Sequence, residues 1–250
     1  MGSETEDKQR EYYNRIAANY DAHYSTKEAL HYRYQVFDNF LKGNDFNGLK
    51  VLDAMCGGGE NSGFFLAKGA DISGVDISSE QCRFYRNRFP AADCRCESIL
   101  QTSFPDNSFD FIITESLHHL PPQVDKGINE MVRILRPGGR LLIWEPSSGS
   151  FLDLIRKIWY RLDNVYFQDN EGSIDFSTLA QEHQNHLQLL QHMYGGNLAN
   201  LFVLSSMQFR IPTAWVQYYA PLLLPLDRFI SRFQGKRSAC WILAMFQKKT

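Results

Sequence analysis

The chain has 250 residues, enough for one or two domains, and 44% of them are apolar, which supports a full globular core. Its net charge of −2 argues against the broad basic field of a nucleic-acid-binding protein. Five cysteines without a disulfide-framework spacing indicate reduced thiols, and the N-terminus has no apolar signal region. The most apolar stretch, residues 211–226, is too short and too rich in proline to span a bilayer. We therefore expect a cytoplasmic protein without an integral membrane segment or a nucleic-acid partner.

The first predicted element is a helix over residues 8–24. Tyrosines and an isoleucine recur there at helical spacing, and most of this stripe is expected to pack on the core. Residues 49–59, Leu-Lys-Val-Leu-Asp-Ala-Met-Cys-Gly-Gly-Gly, then predict a buried strand that opens into a ligand-binding turn. The glycines alone are a weak signal, because Ser62 stands where the third glycine of G-x-G-x-x-G belongs, so a plain tight turn is the alternative.

A second apolar run ends at Asp76, 23 positions after Asp53. An acid at the end of the second strand, about 20 residues beyond a glycine turn, is placed to accept hydrogen bonds from a ribose. The first half of the chain therefore indicates a nucleoside site.

Strands and helices alternate from residue 49 to residue 146. Strands are predicted over 49–54, 71–76, 92–97, 109–115 and 139–145, and helices over 60–68, 79–89 and 123–135. The alternation predicts right-handed βαβ crossovers, a mainly parallel sheet and helices on both of its faces. Acids fall at all five predicted carboxyl ends: Asp53, Asp76, Glu97, Glu115 and Glu145. A rim of acids suits a ligand with a cation, hydroxyls and an amino group, whereas acids that merely cap helices are the alternative.

The last hundred residues add helices to this frame. We predict an amphipathic helix over 151–162, a helix over 176–193, strand six over 200–209, one or two helices over 213–233 and strand seven over 239–246. Core burial is one explanation of the added apolar residues. The explanation we favour is a helical cap whose aromatic residues line an acceptor pocket. Candidates for that wall are Trp159, Trp215, Tyr218 and Tyr219. We expect no metal site, because Cys94 and Cys96 lack a second ligand pair and His183 and His186 suit a solvated helix face.

Five motifs in combination carry a family resemblance. They are Val51-Leu-Asp53 with Gly57-x-Gly59, Asp76, Phe104-Pro-Asp-Asn-Ser-Phe-Asp110, Leu117-His-His-Leu120 and Arg136-Pro-Gly-Gly139. Over about residues 10–146 the chain resembles a class I S-adenosylmethionine (SAM)-dependent methyltransferase of the ubiquinone and menaquinone C-methyltransferase group. Two positions depart from the family pattern. Met55 replaces the first loop glycine, and Ser98 replaces the acid that faces the adenine amino group.

The resemblance implies a Rossmann-like, seven-stranded, mostly parallel sheet, with an antiparallel last strand, in a single domain. Residues 1–48 would form a helical lid, 49–146 the SAM-binding core, and 147–250 the cap together with the last two strands. It also implies the cofactor contacts: Tyr12 and Tyr20 in the lid, Met55, Gly57 and Gly59 in the turn, Asp53 near the methionyl amino group, Asp76 on the ribose, Ile77 and Ile99 around the adenine, and Ser98 or Glu97 at its amino group.

The resemblance implies transfer of the SAM methyl group to a small, partly apolar acceptor, either aromatic, quinone-like, lipid-like or sugar-linked. A base is required only if the acceptor is a hydroxyl or an acidic carbon. His119 is our preferred base, with His118 and Glu115 as other candidates and Glu145 beside the acceptor. Two alternatives are a non-catalytic SAM-binding module, regulatory or for assembly, and an NAD-dependent oxidoreductase. The oligomeric state is left open, with a homodimer as one option.

Overall fold

The computed structural model describes residues 4–151 and 174–250. Two helices come first, α1 (Glu4–Tyr24) and α2 (Lys27–Phe40). The alternating core follows: β1 (Lys50–Ala54), α3 (Ser62–Ala67), β2 (Asp71–Asp76), α4 (Ser79–Arg88), β3 (Asp93–Cys96), β4 (Phe109–Thr114), α5 (Val124–Ile134) and β5 (Leu135–Pro146). The last described elements are α6 (Phe176–Glu182), β6 (Leu187–Gly195), α7 (Thr213–Ser231) and β7 (Trp241–Lys248). Nearly all of the helix expected over 151–162, with Trp159, lies outside the described residues.

The strands form one sheet in the order β3-β2-β1-β4-β5-β7-β6. The five strands from β3 to β5 are parallel, and β7 runs antiparallel between β5 and β6. Because β2 and β4 lie on opposite sides of β1, the chain changes direction across the sheet at this point. In α/β sheets, a ligand crevice lies outside the carboxyl ends of the strands at such a switch point. The predicted α/β, Rossmann-like, seven-stranded sheet is confirmed.

Both faces of the central strands are buried, which explains the continuous apolar runs in β1 and β4. In β4, Phe111 and Ile113 pack on one side with α2 and α3, where Phe65 is fully buried. Ile112, between them in sequence, packs on the other side with Ile128 of α5. Alternate residues of one strand therefore build two separate core layers.

The beginning of α4 is fixed directly behind the end of β2. Ser78 caps the helix, because its hydroxyl accepts a hydrogen bond from the backbone N–H of Gln81 at 3.2 Å. Only Ile77 separates this cap from Asp76, the last residue of β2. The short connection holds the strand end and the helix start in a defined geometry.

The predicted helix over 176–193 is wrong in its second half. Helix α6 ends at Glu182, and Leu187–Gly195 forms β6, which pairs along β7. Hydrogen bonding to a strand more than 45 residues later in the chain overrides the helix-like spacing of its leucines. The predicted strand over 200–209 is wrong for a related reason. Both edges of β7 are taken by β5 and β6, so this segment forms two short helical turns, and Val203 packs against the core.

Candidate functional site

A cleft with about 740 Å³ of empty space lies at the carboxyl ends of the central strands. Four of its residues end or follow a parallel strand: Met55 after β1, Asp76 at the end of β2, Ser98 after β3 and Ser116 after β4. Helix α1 supplies another wall. The cleft is therefore the candidate site at the switch point of the sheet.

The turn after β1 has a glycine-like backbone even at Met55. Met55 and Gly57 have φ angles of +58° and +52°, in the left-handed region. A non-glycine residue occupies this region at a cost of roughly 1–2 kcal/mol. Met55 therefore keeps the conformation that glycine would favour, and the side chain that it adds lies on the wall of the cleft.

Asp76 joins the turn to α4. One carboxylate oxygen accepts the N–H of Gly57 at 2.9 Å, and the other accepts the N–H of Ser78 at 2.8 Å. Burial raises the pKa of Asp76, and these backbone hydrogen bonds act in the opposite direction. A carboxylate has about four acceptor sites, so Asp76 can also accept a hydrogen bond from a ligand.

The residues expected around the adenine lie together in the cleft. Ile77, Ser98 and Ile99 all line it. Sequence reasoning missed Gln81, which also lines it and whose buried Oε1 atom has no hydrogen-bond partner within the described part of the chain. A hydroxyl or amino donor on a ligand would satisfy this oxygen. Asp76, the pair Ile77 and Ile99, and the unsatisfied oxygen of Gln81 provide the acceptors and apolar surfaces that suit the nucleoside part of SAM.

Gly59 and Asp53 do not line the cleft, contrary to expectation. A Cβ atom on Gly59 would lie 2.5 Å from the ring of Phe89, so glycine there allows close packing against that ring. Asp53 is fully buried and accepts the Ser62 hydroxyl at 2.7 Å, at the start of α3. Burial raises the pKa of Asp53 to about 8, and the hydrogen bond from Ser62 opposes this shift.

Glu97 is likewise turned away from the cleft. Its carboxylate accepts the backbone N–H of Ser103 at 2.7 Å and the Ser103 hydroxyl at 2.6 Å. These two bonds hold it in the loop after β3, so of the two residues proposed for the adenine amino group only Ser98 is in place.

Tyr13, rather than Tyr12, lies with Tyr20 on the cleft side of α1. The cleft-lining residues of this helix are Glu6, Gln9, Tyr13 and Tyr20. Residues 13 and 20 are seven apart, almost two helical turns, and so share a face. Tyr12 is buried beside this face, with the guanidinium of Arg15 at 5.5 Å from the centre of its ring. The seven-residue spacing was the signal that could have found Tyr13.

His119 is the one expected catalytic residue that lines the cleft. The hydroxyl of Tyr13 lies 3.1 Å from its Nε2 atom and 3.2 Å from its Nδ1 atom. The side-chain amide of Gln9 donates to the carbonyl oxygen of His119. Helix α1 thus holds both the ring and the backbone of this histidine.

His118 and Glu145 form a structural pair behind the cleft. The Nδ1 atom of His118 lies 2.7 Å from one carboxylate oxygen of Glu145, and the other oxygen accepts the N–H of Leu117 at 2.6 Å. Glu145 is buried, and burial raises its pKa to about 8, while the N–H of Leu117 acts in the opposite direction. Neither side chain lines the cleft. This pair holds the turn that presents the neighbouring His119.

Glu115 is committed to an internal ion pair with Arg33 of α2. The guanidinium is buried, donates to the side-chain oxygen of Asn61 at 2.8 Å and lies 5.4 Å from the ring centre of Trp144. The side chain of Glu115 does not line the cleft. Glu115 therefore ties α2 to the end of β4.

The aromatic residues expected on the acceptor wall lie elsewhere. Trp215 and Tyr218 are on the solvent face of α7, and the hydroxyl of Tyr219 donates to the carbonyl oxygen of Phe202 at 2.6 Å. None of the three lines the cleft. The buried face of α7 packs on the sheet layer that contains α2, and this packing directs the stripe with Trp215 to solvent.

The switch point of the sheet, where folds of this kind bind nucleotides, thus brings together a turn with left-handed φ angles, an acid at the end of β2 and an apolar pair. Residues 51–139 match the methyltransferase domain family. The chain carries a SAM-dependent methyltransferase domain, similar to that of the ubiquinone/menaquinone C-methyltransferases, and SAM is the cofactor of this domain.

Two curated relatives illustrate the similarity. Over 62% of its length the chain is 32% identical to the ubiquinone/menaquinone biosynthesis C-methyltransferase of Paraburkholderia phytofirmans, of which it covers 63%. Over 46% of its length it is 29% identical to a fatty-acid O-methyltransferase of Mycolicibacterium smegmatis, of which it covers 43%. The chain thus spans less than two thirds of either relative.

Among solved structures, the chain is similar to the magnesium protoporphyrin IX methyltransferase of Synechocystis with bound SAM. The TM-score is 0.62 at 13% identity, over 100% of this chain and 99% of that one. At this identity the similarity establishes the fold.

Proposed function

We propose that this protein transfers the methyl group of SAM to a small, partly apolar acceptor, and that His119 accepts the proton that the acceptor loses. The observation that carries the proposal is the contact between His119 and Tyr13 on the wall of the cleft that also contains Asp76. A base in this position suits an acceptor that reacts through a hydroxyl or an acidic carbon.

The residues that would hold SAM follow from the cleft. Asp76 would accept hydrogen bonds from the ribose, Ile77 and Ile99 would flank the adenine, and Gln81 would accept from a hydroxyl or amino group. SAM supplies an activated methyl group on a sulfonium, so the difficult chemistry belongs to the cofactor. The protein must orient the reactants and exclude water, and orientation alone can contribute about 7–11 kcal/mol.

His119 suits the role of base because imidazole titrates near neutral pH. Its ring is held by Tyr13 and its backbone by Gln9, and both contacts come from α1. The base is therefore in position only when α1 covers the cleft. This coupling would protect the reacting groups from water when the lid is in place.

The acceptor class is inferred from the cleft and from the relatives. Apolar and aromatic side chains, including Met55, Leu120 and Tyr20, line the cleft. The relatives are named for quinone biosynthesis and for a fatty acid, which both involve largely apolar molecules. The cleft therefore suits a partly apolar acceptor better than a small hydrophilic metabolite. Such an acceptor could be aromatic, quinone-like, lipid-like, or sugar-linked with an apolar part.

The first prediction concerns catalysis by His119. With a reduced quinone as acceptor, His119→Asn should lower kcat by at least about 100-fold, because general-base catalysis contributes roughly 10²–10⁴. The affinity for S-adenosylhomocysteine should be unchanged. His186→Asn, an exposed histidine, is the matched control and should keep full activity. Release of S-adenosylhomocysteine measures turnover, and titration calorimetry measures affinity.

Tyr13→Phe separates positioning from chemistry. If Tyr13 positions the ring, this variant should retain a base but show a shifted pH–rate profile and a lower kcat. Unchanged kcat in His119→Asn would show that alignment alone suffices and that the base is misassigned. Binding of S-adenosylhomocysteine without turnover of any tested acceptor would instead favour a non-catalytic SAM-binding module.

A further inference from the structure

Helix α7 carries a second apolar face that points to solvent. This face, here called the α7 stripe, is between 40% and 80% exposed and consists of Trp215, Tyr218, Leu222, Leu226, Phe229 and, just past the helix end, Phe233. At 3.6 residues per turn, its five helical members fall within an arc of about 80°. The opposite side, including Val216 and Leu224, is buried in the core. An apolar face this continuous indicates an interaction surface.

Basic residues accompany the stripe. Residues 210–237 contain five basic side chains and one acid, a net charge of +4 in a chain whose total is −2. The one acid, Asp227, is buried and accepts the N–H of Asn197 at 2.9 Å on the core side of the helix. Arg228 and Arg232 are exposed on α7 and just beyond its end. The surface thus combines exposed apolar groups with positive charge.

We propose that the α7 stripe binds this protein to the surface of an anionic lipid bilayer. Aromatic rings such as Trp215 and Tyr218 favour the boundary between headgroups and acyl chains, and leucine and phenylalanine insert below it. Arg228 and Arg232 would contact lipid phosphates. No helix in the described ranges is long and apolar enough to cross a membrane, so α7 would lie in the plane of the interface. The proposal does not depend on the identity of the acceptor.

The charge pattern favours a bilayer over a second copy of this chain. A symmetric dimer through α7 would bring two segments of the same +4 charge together, and like charges across an interface weaken it. An anionic bilayer presents the opposite charge together with an apolar interior. The lipid surface therefore matches both properties of the stripe.

Vesicle sedimentation of the full chain tests the proposal. The protein should bind vesicles of phosphatidylcholine mixed with phosphatidylglycerol, bind phosphatidylcholine alone weakly, and lose binding at high salt. Replacing Leu222 and Leu226 by serine should lower partitioning by at least about tenfold, as should replacing Arg228 and Arg232 by serine. Affinity for S-adenosylhomocysteine should be unchanged in both variants, which shows that the domain is folded.

Matched controls come from other surfaces. Leu189 and Leu190 of β6 are 40% and 41% exposed, and their replacement by serine should leave vesicle binding intact. Lys42 and Lys126 are exposed, and their replacement by serine removes the same charge as the arginine pair. In a Trp159→Phe background, Trp215 emission should shift to the blue on vesicles. Because Trp144 and Trp241 are buried, Trp215→Phe in the same background should abolish the shift.

Three results would overturn the proposal. Vesicle binding that is absent, or equal in the stripe variants and the controls, would remove the lipid surface as the occupant. A dimer in sedimentation velocity that the leucine variant dissociates, without vesicle binding, would assign the stripe to a second copy. A marked fall in melting temperature in the leucine variant, again without vesicle binding, would show that the stripe packs against another part of this chain.

Discussion

At the scale of single residues, Asp76 has two tasks that the sequence pattern does not separate. Its carboxylate accepts the N–H groups of Gly57 and Ser78, and in the proposed function it would also hold the ribose. The same side chain therefore shapes the turn after β1 and the start of α4. Met55 depends on this turn, because it occupies a left-handed conformation that an L-residue adopts only when its surroundings enforce it.

The prediction for Asp76 follows from this double role. Asp76→Ala should weaken the binding of S-adenosylhomocysteine at least tenfold, since a hydrogen bond to a charged group contributes roughly 1.5–3 kcal/mol. Titration calorimetry measures the change. Asp71→Ala, at the exposed opposite end of the same strand, is the control and should bind normally. Unchanged affinity in Asp76→Ala would mean that the ribose lies elsewhere.

At the scale of elements, the sequence predicts correctly those strands and turns that depend on residues close together in the chain. The strands from β1 to β4 and the turn at Gly57 follow from apolar runs and glycine. Strand β6 was missed because its partner β7 lies far along the chain and pairing, not spacing, makes it a strand. Tyr12 and Tyr13 lie on neighbouring faces of α1, and Tyr13, seven residues before Tyr20, is the one that lines the cleft with it. Asp53 bonds Ser62 and Glu97 bonds Ser103, and both partners lie beyond the strand ends. A position at the end of a strand therefore does not show whether an acid faces the cleft.

Helix α1 is tied to α4 by polar contacts on one side of the cleft. The Arg88 guanidinium donates to Asp21 of α1 at 2.7 Å and to the carbonyl oxygen of Gly58 at 2.5 Å. The side-chain oxygen of Asn14 accepts the Ser78 hydroxyl at 2.8 Å. Arg88 therefore connects the proposed lid to the glycine turn, so the stability of the lid and the shape of the turn are coupled.

The prediction for this element concerns the rate of ligand release. Asp21→Ala should speed the dissociation of S-adenosylhomocysteine several-fold, because loss of a half-buried ion pair worth about 1 kcal/mol frees α1 to open. Stopped-flow fluorescence measures the rate. Asp7→Ala is the control, because Asp7 pairs at 2.7 Å with Arg10 of the same helix, and both side chains are exposed. Equal dissociation rates in the two variants would contradict a lid held by Arg88.

At the scale of the whole molecule, buried acids behind the cleft make stability depend on pH. Asp53 is the penultimate residue of β1 and Glu145 the penultimate residue of β5, and both are almost fully buried. Burial raises the pKa of each to about 8, although hydrogen bonds from Ser62 and Leu117 act in the opposite direction. The folded state therefore retains protons that the unfolded chain releases.

The last prediction is the sign and source of this pH dependence. An unfolded aspartate ionises near its ordinary pKa of 3.8, whereas folded Asp53 ionises near 8, so its contribution to stability is complete below about pH 4 and is lost as the pH rises to about 8. Each such group can lower the free energy of unfolding by up to about 1.4 kcal/mol per pH unit in that interval. Asp53→Asn keeps an oxygen that can accept the Ser62 hydroxyl but cannot ionise, so chemical denaturation between pH 5 and pH 8 should show a shallower decline than in the unsubstituted protein. Asp45→Asn, at an exposed position, should leave the slope unchanged. Parallel curves for the unsubstituted protein and Asp53→Asn would show that Asp53 is already ionised in the folded state, and that the hydrogen bonds from Ser62 and Asn61 outweigh its burial.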